Sequence, residues 1–186
     1  MKMTIVCAVI LLTVALSGAS VNNAQSNHKP SRDEATKAIR ATAYEMMKAF
    51  LTTDVATFKR HSAKRTLDLV GLVFEAARQD PRYQPELEKA HITNADLFLG
   101  YFLQGAATQY LQSMPVAPEA AARHVANDST VTFITDREAR ITAGTNEVAR
   151  ARMVGQLWKI DLTDSLKKPV LKEVSDPAIR EKIKAL

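Results

Sequence analysis

The chain has 186 residues, of which 46% are hydrophobic and 24% are charged, and its formal net charge is +5. This length and composition are typical of one globular domain and exclude disordered and fibrous classes. The single cysteine, Cys7, lies within the first ten residues.

The first nineteen residues show the three parts of a secretory signal peptide. Lys2 provides the basic start, residues 5–16 form a short apolar run, and Ser17 and Ala19 supply the small residues before a cleavage site. The run is shorter than the ~20 residues that cross a bilayer as a helix. We therefore predict that residues 1–19 are cleaved after Ala19 and that the protein is exported, either to the periplasm or outside the cell.

Cleavage at that point would change two properties of the working protein. It would remove Cys7, so the mature domain would have no disulfide and no thiol chemistry. It would also lower the net charge to +4, because residues 1–19 contain one lysine and no acidic residue. The polar residues 20–30 that follow predict a flexible tether.

Helix signals dominate the first part of the domain. Ser31 and Glu34 form a capping box, which predicts a helix that ends near Leu51. Asp54 is interpreted as the cap of a short second helix. The apolar spacing over 64–79 predicts a third helix.

The next stretch predicts a loop followed by another helix. Residues 80–92 contain Pro81 and Pro85 and are interpreted as a loop. Thr93 and Asp96 have the spacing of a second capping box, and they predict a helix that ends before Pro115.

The pattern changes to strands after this helix. Four strands are predicted over 129–135, 139–143, 147–154 and 157–162, separated by turn residues. Helices followed by antiparallel strands predict an α+β domain, with helices packed on a curved sheet and a pocket between them. We place this domain at 31–163 and a C-terminal tail with one short helix at 164–186.

Two stretches match patterns that occur together in one family. They are Ala49-Phe50-Leu51 followed by Thr53-Asp54-Val55, and the hairpin segment Gly155-Gln156-Leu157-Trp158-Lys159-Ile160-Asp161. With these stretches the chain resembles the nuclear transport factor two-like superfamily, in particular its small exported bacterial domains of unknown function. The resemblance covers 31–163 and implies a cone-shaped fold. That superfamily includes isomerases, dehydratases and hydrolases as well as non-catalytic binding domains, so the resemblance implies a fold more than an activity.

Six side chains are candidates for lining a ligand pocket. They are the aromatic residues Tyr44, Tyr101, Tyr110 and Trp158 and the strand residues Arg150 and Arg152. The two arginines share one face of a strand because strand side chains alternate, and they would bind an anion if that face is concave. The alternative for the aromatic residues is packing in the core.

A basic segment lies between the second and third predicted helices. Lys59, Arg60, Lys64 and Arg65 place four permanent cations within seven residues. They could bind anionic lipid headgroups, an acidic partner or a phosphate, or they could form a solvated junction between helices. The net charge is modest and no aromatic residue interrupts the segment, so nucleic acid is not predicted as a partner.

No catalytic motif is recognisable, and no catalytic residue is assigned. His61, His91 and His124 lack the spacing of a metal site, so neither a metal nor a cofactor is predicted. Asp161 lies at the end of a strand and is expected to face water.

These observations favour an exported, non-enzymatic domain. It would bind a small apolar or anionic ligand in the cone pocket, or an envelope protein on the open sheet, through which a homodimer could also form. The alternative is a small cofactor-free isomerase, dehydratase or hydrolase with acid/base residues in the same pocket. A carboxylate or histidine in a perturbed environment within the pocket would favour the enzyme.

Overall fold

A computed structural model describes residues 31–113 and 116–186. The predicted signal peptide and tether lie outside these residues. Within the described ranges the elements are, in order, α1 (Arg32–Leu51), α2 (Val55–His61), α3 (Lys64–Gln79), α4 (Gln84–Lys89), α5 (Ala95–Ser113), α6 (Pro118–Asp128), β1 (Thr130–Thr135), β2 (Glu138–Ala143), β3 (Asn146–Val154), β4 (Leu157–Asp161), α7 (Thr163–Glu173) and α8 (Pro177–Ala185). The predicted α+β class, with helices preceding an antiparallel sheet, is confirmed.

Two of the predicted helix starts have the expected hydrogen bonds. Ser31 Oγ accepts from the Glu34 N–H at 3.2 Å, and Glu34 Oε2 accepts from the Ser31 N–H at 2.7 Å. Asp54 Oδ1 accepts from the Thr57 N–H at 3.0 Å. Each bond satisfies a backbone donor that the first turn of a helix leaves unpaired.

The predicted cap of α5 is wrong by one residue. Thr93 does not cap this helix; instead Asn94 Oδ1 accepts from the N–H groups of Asp96 and Leu97 at 3.0 and 2.9 Å. Asn94 directly precedes the helix, and its side-chain oxygen reaches those donors without the capping box that the spacing suggested.

Three helices were not predicted: α4, α6 and α7. Helix α6 has Pro118 in its first turn, and the sequence pattern over 123–126 is ambiguous between helix and strand. The expected loop at 80–92 contains α4, where Pro85 occupies the first turn and Leu87 is buried. Proline is tolerated there because a first-turn N–H has no helical partner. The expected C-terminal tail contains α7 in addition to the short final helix α8, although Pro169 lies inside α7.

The two C-terminal helices pack against α3. Val170 of α7 and Ile179 and Ile183 of α8 are buried together with Leu69 of α3. Residues 164–186 thus share an apolar cluster with the helical layer, and burial of this apolar surface stabilises their position.

The sheet is an antiparallel meander in the order β1-β2-β3-β4. Its two edges differ. The β4 edge is covered by the junction between α2 and α3, since the Ala63 N–H donates to the Ile160 carbonyl at 2.8 Å. Strand β1 pairs only with β2 among the described residues.

The main core fills the space between α1, α5 and one face of the sheet. Ile39 and Leu103 are fully buried there, and Trp158 packs edge-on against Phe133 with ring centroids 6.2 Å apart. Small side chains such as Ala139 on this sheet face let the helices approach closely. The buried side chains of α1, α5 and the sheet thus pack against one another, and a cone pocket between helices and sheet stays a prediction.

Candidate functional site

A large groove lies on the helical side of the domain, between α3, α4, α5 and the linker that joins α7 to α8. Its volume is about 1110 Å³. The described residues that line it are Val73, Ala76, Ala77, Gln79, Asp80, Pro81, Arg82, Tyr83, Glu86, Phe98, Tyr101, Phe102, Gln104, Gly105, Thr108, Gln109, Gln112, Glu173, Val174, Ser175 and Asp176.

The floor of the groove is apolar and lies over a buried cluster. Phe98 is buried and contacts Phe74 behind it, with ring centroids 5.5 Å apart. Ala77 of α3 and Leu87 of α4 belong to the same buried cluster. This floor offers aromatic and aliphatic surface to an apolar ligand.

Arg82 makes several contacts along one wall of the groove. Its guanidinium forms a close ion pair with Asp80, with Nη2 2.6 Å from Oδ2, and donates to the Glu173 carbonyl and to Ser175 Oγ at 3.2 and 3.1 Å. It also lies 5.2 Å from the ring centre of Tyr83. Arg82 thereby joins the turn before α4 to the α7–α8 linker.

These contacts set the charge states at the rim. Hydrogen bonds from Arg82 lower the pKa of Asp80 below its ordinary value, so this carboxylate is ionised at neutral pH. Burial raises the pKa of the Tyr83 phenol. The Tyr101 hydroxyl donates to Glu86 Oε1 at 2.6 Å, and that bond, followed by burial, raises the pKa of Tyr101.

A buried acceptor without a partner lies in the lining of the groove. Gln109 Oε1 is shielded from solvent and has no hydrogen-bond partner. An unpaired buried carbonyl is unfavourable, and because this oxygen is shielded from solvent, a ligand in the groove would reach it only if the Gln109 side chain moved.

One sequence signal could have located this groove. Helix α5 is apolar on most sides but carries Gln104, Thr108, Gln109 and Gln112 at helical spacing. Their spacing places them along one side of the helix, where they line the groove. The contribution of the α7–α8 linker could not be read from local patterns.

The four aromatic candidates lie in different parts of the structure. Tyr101 lines the groove. Tyr110 is buried against Phe50 in the main core, with ring centroids 6.5 Å apart, and Trp158 is also buried in that core. Tyr44 is half-buried on α1 and is outside the groove lining.

Arg150 and Arg152 lie on the sheet face opposite the main core, and both are paired with acids. Arg150 Nε is 2.7 Å from Glu147 Oε1. Arg152 Nε is 3.0 Å from Asp161 Oδ2, and its Nη2 is 3.3 Å from Glu138 Oε1. Their binding of an anion stays a prediction, and any such ligand would compete with these carboxylates.

The expectation that Asp161 faces water is wrong. Its side chain is only 1% exposed, because the start of α3 covers this end of β4. Burial acts to raise its pKa, but the contacts from Thr163, followed by the charges of Arg65 and Arg152, outweigh burial, and the pKa of Asp161 is lowered.

Three of the four cations in the basic segment have acidic partners. Lys59 pairs with Asp96 at 2.7 Å and Lys64 pairs with Asp68 at 2.6 Å. Arg65 pairs with Asp161 at 2.9 Å and with Asp164 at 3.3 Å. Arg60 is exposed. Contact of this segment with a membrane surface stays a prediction, and the paired acids reduce the positive field available for it.

Comparisons with known protein families, curated proteins and solved structures find no match to this chain. The resemblance to the nuclear transport factor two-like superfamily therefore stays a prediction. In residues 31–113 and 116–186, no helix combines the length and apolar character needed to span a membrane. The same residues contain no cluster of three or more His, Cys, Asp or Glu side chains arranged to hold a metal ion.

Proposed function

We propose that this chain is an exported, non-catalytic binding domain whose ligand site is the groove between α3, α4, α5 and the α7–α8 linker. The observation that carries the proposal is the groove itself, with a volume of about 1110 Å³ and a lining that combines aromatic surface with side-chain amides. Small-molecule sites have volumes of roughly 300–1,000 Å³ and this mixture of apolar walls and a few polar groups.

The three lining groups with shifted pKa values, Asp80, Tyr83 and Tyr101, favour binding over acid/base catalysis. A general acid or base works best when its pKa is near the working pH. The pKa of Asp80 is lowered, and those of Tyr83 and Tyr101 are raised, so all three move away from neutrality. The isomerase, dehydratase or hydrolase alternative would need a different group in this groove.

A variant that fills the groove tests the proposal. Gly105 lines the groove, and a Cβ built on it meets nothing within 4 Å, so Gly105→Trp would project a large ring into open space. A Cβ built on Gly71 of α3 also meets nothing within 4 Å, but Gly71 is outside the groove lining. Gly71→Trp is therefore a matched control with the same residue change in a helix.

The probe is Nile red, a neutral dye whose fluorescence rises in apolar surroundings. We expect wild type and Gly71→Trp to bind it alike, and Gly105→Trp to bind it at least about tenfold more weakly because the ring takes up space inside the groove. Equal affinity in all three proteins, or no binding to wild type, would refute the groove as a ligand site.

A second candidate function is self-association through the sheet. Strand β1 reads Thr-Val-Thr-Phe-Ile-Thr, carries no charge or proline, and exposes Ile134 at 46%. Uncharged edge strands pair readily with another strand, and antiparallel pairing about a two-fold axis would join two copies. Because the β4 edge is covered by Ala63, we propose β1 as the pairing edge.

Light scattering after size exclusion tests this second candidate. We expect wild type to dimerise with rising concentration and Ile134→Lys to remain monomeric, because a lysine on the edge opposes pairing. Leu157→Lys is the control, since Leu157 is also exposed, at 65%, but lies on β4. A monomeric wild type at all concentrations excludes the dimer.

A further inference from the structure

We propose that the ligand of the groove is an organic cation: an ammonium or guanidinium group carried on an aromatic or aliphatic body. This inference rests on the proposed function and specifies its ligand class. It follows from the charge of the lining, which differs in sign from that of the whole protein.

The described lining contains more acids than bases. It includes four half-buried acidic residues, Asp80, Glu86, Glu173 and Asp176, against the single base Arg82. The complete chain carries a net charge of +5. A negative groove in a positive protein attracts cations locally, and apolar walls strengthen that field.

Two of these carboxylates, Glu86 and Asp176, have no cation beside them among the described residues. Arg82 pairs with Asp80, and its positive charge also acts on Glu173. Glu86 accepts from the neutral Tyr101 hydroxyl, and Asp176 accepts from the Ile179 N–H at 2.9 Å, so neither bond supplies a positive charge. Glu173 makes no close ion pair among the described residues, but its side chain accepts a hydrogen bond from Tyr83 and the charge of Arg82 partly compensates it. An anionic ligand would meet these charges unfavourably.

The aromatic lining adds attraction for the same class of ligand. Cations bind over aromatic faces within about 6 Å of the ring centre. Arg82 already shows this contact, at 5.2 Å from the Tyr83 ring centre. Phe98, Tyr101 and Phe102 offer further rings along the groove.

The carboxylates of the lining narrow the choice among cations. An ammonium or guanidinium N–H can donate to an oxygen of Glu86 or Asp176, whereas a quaternary ammonium has no hydrogen to donate. The combination of carboxylates and aromatic rings therefore favours a cation that bears N–H groups.

The experiment compares three probes that share one body: 4-phenylbutylamine, 4-phenylbutanol and 4-phenylbutanoate. Amide chemical-shift titrations at low salt give the affinity of each probe and identify the residues it contacts. At neutral pH we expect the ammonium to bind about tenfold more tightly than the alcohol, and the carboxylate to bind most weakly. The shifts should centre on α5 and the α7–α8 linker.

A double variant that neutralises two lining carboxylates tests how much they contribute to the binding of the ammonium probe. In Glu86→Gln/Glu173→Gln the preference for the ammonium over the alcohol should fall about fivefold, because the shape is kept and two charges are removed. Glu88→Gln/Glu181→Gln removes the same charge from exposed sites outside the lining and should keep the wild-type preference.

The outcomes separate this inference from the function on which it rests. Equal binding of the ammonium and the alcohol at the groove would overturn the cationic ligand and leave the binding groove standing. Failure of all three probes to shift groove resonances would overturn both. An equal loss of preference in both double variants would also overturn the inference, because the effect would then be one of overall charge.

Discussion

Arg65 and Asp161 form an ion pair across 96 positions of the sequence, with Arg65 Nη1 2.9 Å from Asp161 Oδ2. The pair joins the start of α3 to the end of β4. Arg65 also donates to the Leu186 carbonyl and lies 3.3 Å from Asp164. One member of the basic segment thus connects the helical layer, the sheet and the last helix.

Asp161→Asn should destabilise the protein by about 2 kcal/mol at pH 7, because it leaves two arginines without their buried carboxylate. The figure is below that for fully buried pairs, since Arg65 and Arg152 are each about one-third exposed. Urea unfolding measures the difference. Asp164→Asn, at a more exposed carboxylate, should cost much less.

The effect of Asp161 should depend on pH. Its pKa in the folded protein lies below the ordinary value of 3.8. A lowered carboxyl pKa stabilises the fold above the unfolded-state pKa, and this contribution is lost as the pH falls through the folded-state pKa. The stability gap between wild type and Asp161→Asn should therefore be constant from pH 7 to about 5 and shrink below 3.8. A gap that widens in acid would contradict this assignment.

Thr66→Val should cost about 1–2 kcal/mol, because it removes a hydroxyl at a fully buried position. Thr66 Oγ1 accepts from the Leu162 N–H at 2.8 Å and lies 3.4 Å from Asp161 Oδ1. Valine keeps the shape but leaves that N–H unpaired. Thermal unfolding measures the cost, and Thr66→Ser, which keeps the hydroxyl, should lose less than Thr66→Val.

Two glycines in α5 should respond differently to alanine. Gly105→Ala should raise stability by about 0.5–1 kcal/mol, because alanine favours the helix and its Cβ meets no atom within 4 Å. At Gly100 the new Cβ would lie 3.3 Å from Val55 Cγ2 of α2. Gly100→Ala should therefore gain less stability than Gly105→Ala, or lose stability. An equal gain at both sites would contradict this prediction, because it would mean that Val55 of α2 moves aside at no cost in free energy.

Arg82→Ala should loosen the α7–α8 linker from the turn before α4. Arg82 donates to the Glu173 carbonyl and to Ser175, and no other described side chain makes both bonds. We expect faster amide hydrogen exchange at 173–176, with little change in the main core. Lys64→Ala, which removes an exposed i,i+4 pair on α3, should leave that exchange unchanged.

Much of the fold could be predicted from short stretches of the sequence. The capping box at Ser31, the cap at Asp54 and the boundaries of α3 follow from residues close together in sequence. The four strands were predicted to within one residue at each end, because their alternation and turn residues are local signals. Helix α7 was missed because Pro169 interrupts its pattern and its stability depends on packing against α3.

Most residues of the candidate site, in contrast, could not be predicted from local sequence signals. Tyr101 was among the predicted lining residues, but Asp80, Arg82, Glu86 and Gln109 were not. Their roles depend on neighbours that are distant in sequence, such as the bond from Arg82 to the Glu173 carbonyl. Of the side chains expected around a cone pocket, Tyr110 and Trp158 belong to the main core.

The α+β class, the order of helices before strands and the mild positive charge follow from composition and short-range periodicity. The burial of Asp161, the packing of the C-terminal helices on α3 and the acidic lining of the groove emerge only in the folded chain. Burial and the pairing of charges depend on distances between segments that are far apart in the chain, and local sequence patterns do not specify those distances.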